Sequence, residues 1–570
     1  MPVDEHALPS RRHGVGLPAM RQVSLNRTTI LVILIVALAW FLPLGMRHLL
    51  PSDEGRYAEI AREMLARGDW VTTRYNDLKY FEKPPFQLWM TAIAYAAFGI
   101  GEWQARLWVA LSGAFGLGIS MLAAGRWFGP RVAAGTGLIL LATPTWNIAS
   151  HFNSLDMGVS AALAGVLAGM LMAQHPRATE EQESNWMAFA WAAMAVAVLT
   201  KGLIGIVLPG TVLVVYSLIG RDWQVWRRLH IGAGLLIFLV IVEPWFVLIS
   251  MRNPEFVSFF FIHEHFARYL SGVHHRGAPW WYFVPQLVVG ILPWIGLSLG
   301  MTIVVREDAR RPGFKPSLLL GVWAAVIFVF FSLSGSKLPG YIVPVFPALA
   351  ILAAVALDRL GPAQWRRHVL VAAGLVVAGL LALPLLARQG GDTVMHESFR
   401  AYASALAVLL AMTLCGLAAA LWVGRRGVAR SVAVYALSMF ALVSGALLAH
   451  ETFGRERSGA DLVAPIARVL DANMPIYSVR LLDHTLPFYL RRTTIMVEAP
   501  DELEFGTKRE PEKWIATLDG FIAVWQSGPK AVAIMSPETQ ALLRDRKVAM
   551  FPVAADSRRV VVSNFERVPP

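Results

Sequence analysis

Apolar runs of about 18 residues or more recur through the first 450 positions of this chain, as in ILVILIVALAWFLPLGM and VLVAAGLVVAGLLALPLLA. Each is long enough to cross a hydrocarbon core of ~30 Å as a helix, and inside such a core the backbone must satisfy its own hydrogen bonds. The runs fall near 30–47, 85–99, 107–124, 131–148, 156–174, 186–200, 202–219, 231–250, 281–304, 317–333, 341–358, 368–387, 401–422 and 431–450. Only 16% of the 570 residues are charged, where a soluble domain carries roughly a quarter. The chain reads as a polytopic α-helical membrane protein.

The net charge of +12 comes from 51 Lys and Arg against 39 Asp and Glu. In a soluble protein that excess would suggest nucleic acid, but no nucleic-acid motif is present. The cations instead crowd the short loops GRWFGPR (125–131), RDWQVWRRLH (221–230), REDARRPGFK (306–315), DRLGPAQWRRH (358–368) and GRRGVARS (424–431). Arginine-rich short loops face the cytoplasm. All five share the N-terminal side only if one run before 107 does not span. The run at 85–99 is the shortest and begins Pro-Pro, so it is assigned as an interfacial or re-entrant helix. About thirteen transmembrane helices remain, with the N-terminus inside and the C-terminus outside. Residues 1–27 resemble a signal-peptide n-region, but no small-residue cleavage site follows, and the first run is expected to stay as a membrane helix. The single cysteine, Cys415, excludes an intramolecular disulfide.

Hydropathy falls after about residue 450. IYSV, TIMVE, AVAIM, KVAMF and VVVSN read as short buried strands, with the helical pattern GADLVAPIARVLDAN among them. Residues 451–570 are expected to form a soluble α/β domain on the outer face, large enough for its own core. No phosphate-binding glycine loop occurs in it.

The same topology collects the loop 51–106, HFNSLD (151–156), 251–280 and SGSKLPGY (334–341) on that outer face. In PSDEGRYAEIAREML, Tyr57, Ile60, Ala61, Met64 and Leu65 share one helical face, and Glu59, Arg62, Glu63 and Arg67 the other. This predicts an amphipathic helix in the interface plane, capped by Ser52, with Asp53 and Glu54 offsetting its dipole. In YFEKPPFQLW, Glu82 and Lys83 are either a snorkelling interfacial pair or a cation placed for an anionic headgroup. FFFIHEHFARYLSGVHHRG holds His263, His265 and Arg268, but not at the spacing of a zinc helix. A divalent metal such as zinc, held by His263 with Glu82, stays open; no cofactor is required. Lys337 and Tyr341 flank a Pro-Gly turn, and Asp156 opens another helix on this face. Lys201 lies between two short runs.

Together, DEGRYAEIAREML, YFEKPP and KLPGYIVPVFPALA, in this order across about thirteen spans, resemble the GT-C polyprenyl-phosphate glycosyltransferases, and among them the aminoarabinose lipid A transferases of Gram-negative bacteria. The resemblance implies a membrane glycosyltransferase domain over 1–450, with amphipathic outer-face helices in 51–106, and a periplasmic α/β domain over 451–570. It implies transfer of 4-amino-4-deoxy-L-arabinose from undecaprenyl phosphate to lipid A phosphate in the bacterial inner membrane, and with it resistance to polymyxin and cationic peptides. The partners are then the lipid-linked amino sugar, lipid A and membrane lipids, with no nucleic acid. On matching positions it implies Asp53 as the leading catalytic carboxylate and Asp156 as a second. Lys83, Arg268 and Tyr341 become lipid-phosphate ligands, with Arg56, Glu82, His263 and Lys337 in support. Two alternatives remain: another sugar or acceptor, such as galacturonic acid to lipid A core or mannose to protein, and a lipid-linked sugar transporter. Charges at helix ends rather than mid-span, and the lack of a repeat, argue against transport.

Overall fold

The computed structural model describes residues 27–260, 278–391, 393–499 and 501–566. Each of the apolar runs carries a helix. Among the described residues, nine helices are long and apolar enough to cross a membrane. The run at 131–148 is not one straight span. It breaks into Pro130–Ala142 and Pro144–Ser150 at 68°, because Pro144 holds Thr143 in an extended backbone. Shorter apolar helices occupy Ile30–Gly45, Phe86–Phe98 and Ile204–Gly220.

The helix Leu155–Ala173 lies at the centre of the bundle and is buried along its whole span. Its small residues make that possible. Gly165 sits against Ala193 and Phe189, and Gly169 against Ala190 and the backbone of Trp186, all on the helix Glu180–Lys201. Small residues let membrane helices approach closely, where packing and not water exclusion holds them together. This central helix carries Asp156 at its start.

The C-terminal segment folds around a five-stranded sheet. Its strands run in the order Ile495–Val497, Ile476–Val479, Val532–Met535, Val560–Ser563, Phe551–Ala555. The first three are parallel and the last two antiparallel. Both central parallel strands are buried throughout, which matches their unbroken apolar sequence. KVAMF, expected as a strand, only leads into one: Lys547 takes a left-handed φ of 58° and the Val548 amide bonds back to Leu543, so pairing starts at Phe551.

The helix Asp53–Arg67 departs from the expected interfacial helix. Every residue from Glu54 to Met64 is buried, including the charged face. A hairpin at Arg74–Tyr75 and Leu78–Lys79 and the C-terminal domain cover it. Glu63 accepts the amides of Asn76 (2.5 Å) and Asp77 (2.9 Å), Arg62 pairs with Glu59 through two 2.7 Å bonds, and Asn76 Oδ1 accepts the Thr494 amide at 2.6 Å. Gly55 is where the domain lands: a Cβ there would collide with the carbonyl of His484. Ser52 is already helical and makes no side-chain cap; Glu54 Oε2 accepts the Leu50 amide at 3.0 Å instead.

A second clasp joins the two parts. The His48 amide donates to Glu451 Oε2 at 2.8 Å, while its imidazole Nδ1 meets the other carboxylate oxygen. The Glu451 hydrogen bond is the main cause holding the His48 pKa above its ordinary value, against partial burial. A raised histidine pKa stabilises the fold fully below ~6.5, and that stability fades as pH rises through the raised value. Glu451→Gln is therefore expected to cost roughly 0.5–1 kcal/mol below pH ~6.5 and nothing at alkaline pH. Thermal denaturation of both proteins across pH checks this; a gap independent of pH would contradict it.

Candidate functional site

Glu54 and its neighbour Asp53 part at the start of their helix. Glu54 is fully buried and takes a bidentate pair from Arg106, Nε to Oε1 at 2.7 Å and Nη2 to Oε2 at 2.9 Å. Arg106 also donates to the carbonyls of Leu44 (2.8 Å), Arg47 (2.7 Å) and His48 (2.9 Å). The Asn153 amide reaches Glu54 Oε1 at 3.1 Å, which pins the loop leading to Asp156. Burial, the largest effect, pushes the Glu54 pKa up, but Arg106 prevails and holds it below the ordinary carboxylate range.

Asp53 turns the other way and lines a cavity of about 620 Å³ with Asp156. The rest of the lining is mostly apolar, from Phe152, Pro285, Leu338 and Val343 among others, with Thr145, Ser154 and Gln286 polar. Arg56 Nη1 lies 3.7 Å from Asp53, and its other end is fixed by Glu502 of the C-terminal domain at 2.8 Å. Asp156 is held from three sides. Ser154 caps its amide at 3.4 Å, Gly340 abuts its carboxylate where any Cβ would collide, and Lys201 pairs with Oδ1. The Lys201 ammonium also stands 4.4 Å from the centre of the Tyr341 ring.

Buried Tyr57 registers the same grouping. Burial first, then the carboxylates of Asp53, Glu82 and Asp156, raise its pKa well above the usual phenol value, with Arg56 opposing. So the structure draws together Asp53, Arg56, Glu82, Asp156 and Tyr341. Lys83 Nζ donates to the Glu82 carbonyl at 2.9 Å. Lys337 is buried and bonds the Ser334 carbonyl at 2.6 Å, so it parts from Tyr341 within the shared turn. His263 and Arg268 lie outside the described residues. No group of three or more His, Cys, Asp or Glu suited to a metal occurs among the described residues.

Lys201, which the sequence marks only as a charge between two short runs, joins the site through Asp156. A lysine closing an apolar helix reads as an interfacial anchor. Its signal is the following Gly202, whose φ of 85° ends the helix with the lysine turned to the bundle face that carries Asp156.

An arrangement of two carboxylates, one beside an arginine and one locked by a lysine, in a largely apolar chamber suits a substrate with a charged polar head and a hydrocarbon tail. Comparison with known proteins agrees. The family described as aminoarabinose transferase C-terminal domain matches residues 462–564, and that of dolichyl-phosphate-mannose-protein mannosyltransferases matches 82–248. An undecaprenyl phosphate-α-4-amino-4-deoxy-L-arabinose arabinosyl transferase of Erwinia tasmaniensis is 28% identical over 84% of this chain and 87% of its own. A Pseudomonas fluorescens counterpart is 32% identical, covering 58% of this chain and 60% of its own. The crystal structure of ArnT from Cupriavidus metallidurans bound to undecaprenyl phosphate superposes with a TM-score of 0.91 at 52% identity, over 94% of this chain and 98% of that one. An archaeal oligosaccharyltransferase from Archaeoglobus fulgidus shares the fold alone, at 13% identity and a TM-score of 0.50.

The Asp156–Lys201 contact predicts energetic coupling. In a double-mutant cycle of Asp156→Asn, Lys201→Met and the pair, read by thermal stability, the coupling should be about 1–3 kcal/mol. Additive losses would contradict the ion pair.

Proposed function

Because this chain belongs to the aminoarabinose transferase family of GT-C lipid-linked-sugar glycosyltransferases, we propose that it moves 4-amino-4-deoxy-L-arabinose from undecaprenyl phosphate to a phosphate of lipid A. The observation that carries this is the shared cavity of Asp53 and Asp156, with Lys201 on the second carboxylate. The enzymatic reading displaces transport.

The chemistry assigns the roles. An acceptor phosphate oxygen attacks the anomeric carbon as the bond to the carrier phosphate breaks, and undecaprenyl phosphate departs as a stable anion. Both phosphates are ionised near neutral pH, so no net proton transfer is needed. Departure needs cations more than a general acid. Lys83 and Arg268 serve there, with Tyr341 binding the same phosphate, as the family resemblance implies.

Asp53 faces the developing positive charge at the anomeric centre, or the ammonium of the amino sugar. Arg56, fixed by Glu502, sets its direction. Asp156 is paired with and oriented by Lys201. Direct displacement inverts the anomeric centre and forms no covalent enzyme intermediate. Lys337, bonded to its own loop, supports the turn that brings Gly340 to Asp156. Glu82 and His263 would hold a divalent metal if one binds, and it would supply positive charge to the departing phosphate.

Orientation follows from the arginine loops. The turns that hold Asp53, Asp156 and Tyr341 and the C-terminal domain lie at the helix ends opposite these loops, which supports transfer on the periplasmic face of the inner membrane. A cationic sugar there lowers the negative charge of the surface and with it the binding of polymyxin.

Lipid A from cells with the gene should gain the mass of one aminopentose per modified phosphate, and lipid A from cells without it should not. Asp53→Asn, correctly inserted, should slow transfer by on the order of 10²- to 10³-fold. Wild-type transfer by that variant would overturn the role of Asp53.

A further inference from the structure

At the other end of the bundle, three helices enclose a second cavity of about 530 Å³. It lies between the start of Pro362–Ala387, the end of Thr393–Gly424 and the start of Val428–Ala449. The loops here are DRLGPAQWRRH and GRRGVARS, two of the arginine-rich segments that the transfer site leaves unused. The helix Val428–Ala449 has 22 residues and separates this cavity from the Glu451 clasp by ~33 Å.

Arg366 and Arg425 line the cavity, and no acidic residue does. Neither arginine has an ion pair among the described residues. At this end Arg228 pairs with Glu183 at 2.5 Å and Arg359 with Glu307 at 2.7 Å; Arg131 and Arg227 also have no ion pair among the described residues, but they do not line the cavity. The floor is satisfied internally, since the Trp365 indole donates to Ser431 Oγ and Ser431 donates to the Ala420 carbonyl. The walls are apolar, and Leu370 and Trp422 are about half exposed. Arg426 stacks on the Trp422 ring at 4.6 Å and adds a third cation at the rim.

Unmatched guanidinium groups above apolar walls fit one chemistry: a phosphate joined to hydrocarbon. Arginine binds phosphate oxygens bidentately, and basic pockets between membrane helices on the cytoplasmic side receive anionic headgroups. A soluble phosphate would leave Leu370 and Trp422 without a partner. We propose that this cavity holds the headgroup and upper acyl chain of an anionic phospholipid of the cytoplasmic leaflet, separate from the donor carrier. Arg366 and Arg425 bind its phosphate, and Trp422 lies along its chain.

The test is lipid retention by the full-length, delipidated protein in detergent. Phosphatidylglycerol, phosphatidylethanolamine or inorganic phosphate is titrated, and bound lipid is counted by native mass spectrometry. Wild type should retain phosphatidylglycerol in preference to the other two. Arg366→Gln with Arg425→Gln should weaken that retention ~10- to 30-fold, while Arg131→Gln with Arg227→Gln, equal in charge and outside the cavity, should not. Spin-labelled phosphatidylglycerol should also quench wild-type fluorescence more than that of Trp422→Phe, a readout independent of how the arginine variant folds. Equal retention by both double variants, equal binding of phosphatidylethanolamine or of inorganic phosphate, or quenching unchanged in Trp422→Phe would each overturn the proposal.

Discussion

The ion pair of Glu54 and Arg106 is the interaction on which the site depends. Both side chains are fully buried. Such a pair survives burial only if its remaining oxygens and protons also find partners. Here they do: two amides complete the carboxylate and three carbonyls complete the guanidinium. Those partners come from the turn at 44–50, the helix start at 53–54 and the loop at 153. One charge pair thus fixes, relative to one another, the segments that deliver Asp53 and Asp156.

Glu54 and Asp53 divide the work by position alone. In a helix, consecutive side chains point about 100° apart, so burying one as a structural anchor turns the other to the cavity. The C-terminal domain completes this arrangement from outside. Its His484 carbonyl rests on Gly55, and its Glu502 holds the Arg56 that faces Asp53. The domain thus braces the helix that carries Asp53.

Helix positions, the C-terminal sheet and the outer loops were legible from hydropathy, because the lipid imposes a run length and the strands are continuously apolar. The charged face of Asp53–Arg67 was misread for a physical reason. Periodicity distinguishes polar from apolar faces, but a polar face can meet water or a distant segment that matches its charges. The groups that meet it, Asn76 and Asp77, sit on a hairpin 10–14 residues on, and that hairpin is itself held by Thr494 far downstream, which leaves no local signal. Lys201 was obscured likewise, since its partner Asp156 is a helix away and each alone looks like an ordinary helix terminus. The break at Pro144, by contrast, is written in the sequence, since a proline disfavours helix at the residue before it.

The Glu54–Arg106 pair positions a carboxylate it does not touch, Asp53. The direct measurement is sugar transfer and thermal stability of Glu54→Gln, in which Asp53 is intact. Glu54→Gln should lose about 3–5 kcal/mol, because Arg106 keeps a buried charge without its counterion. Its transfer should also be reduced beyond the fraction unfolded, on the order of 10²-fold, from misplacement of Asp53 and Asp156. A folded Glu54→Gln protein transferring at the wild-type rate would contradict this positioning role.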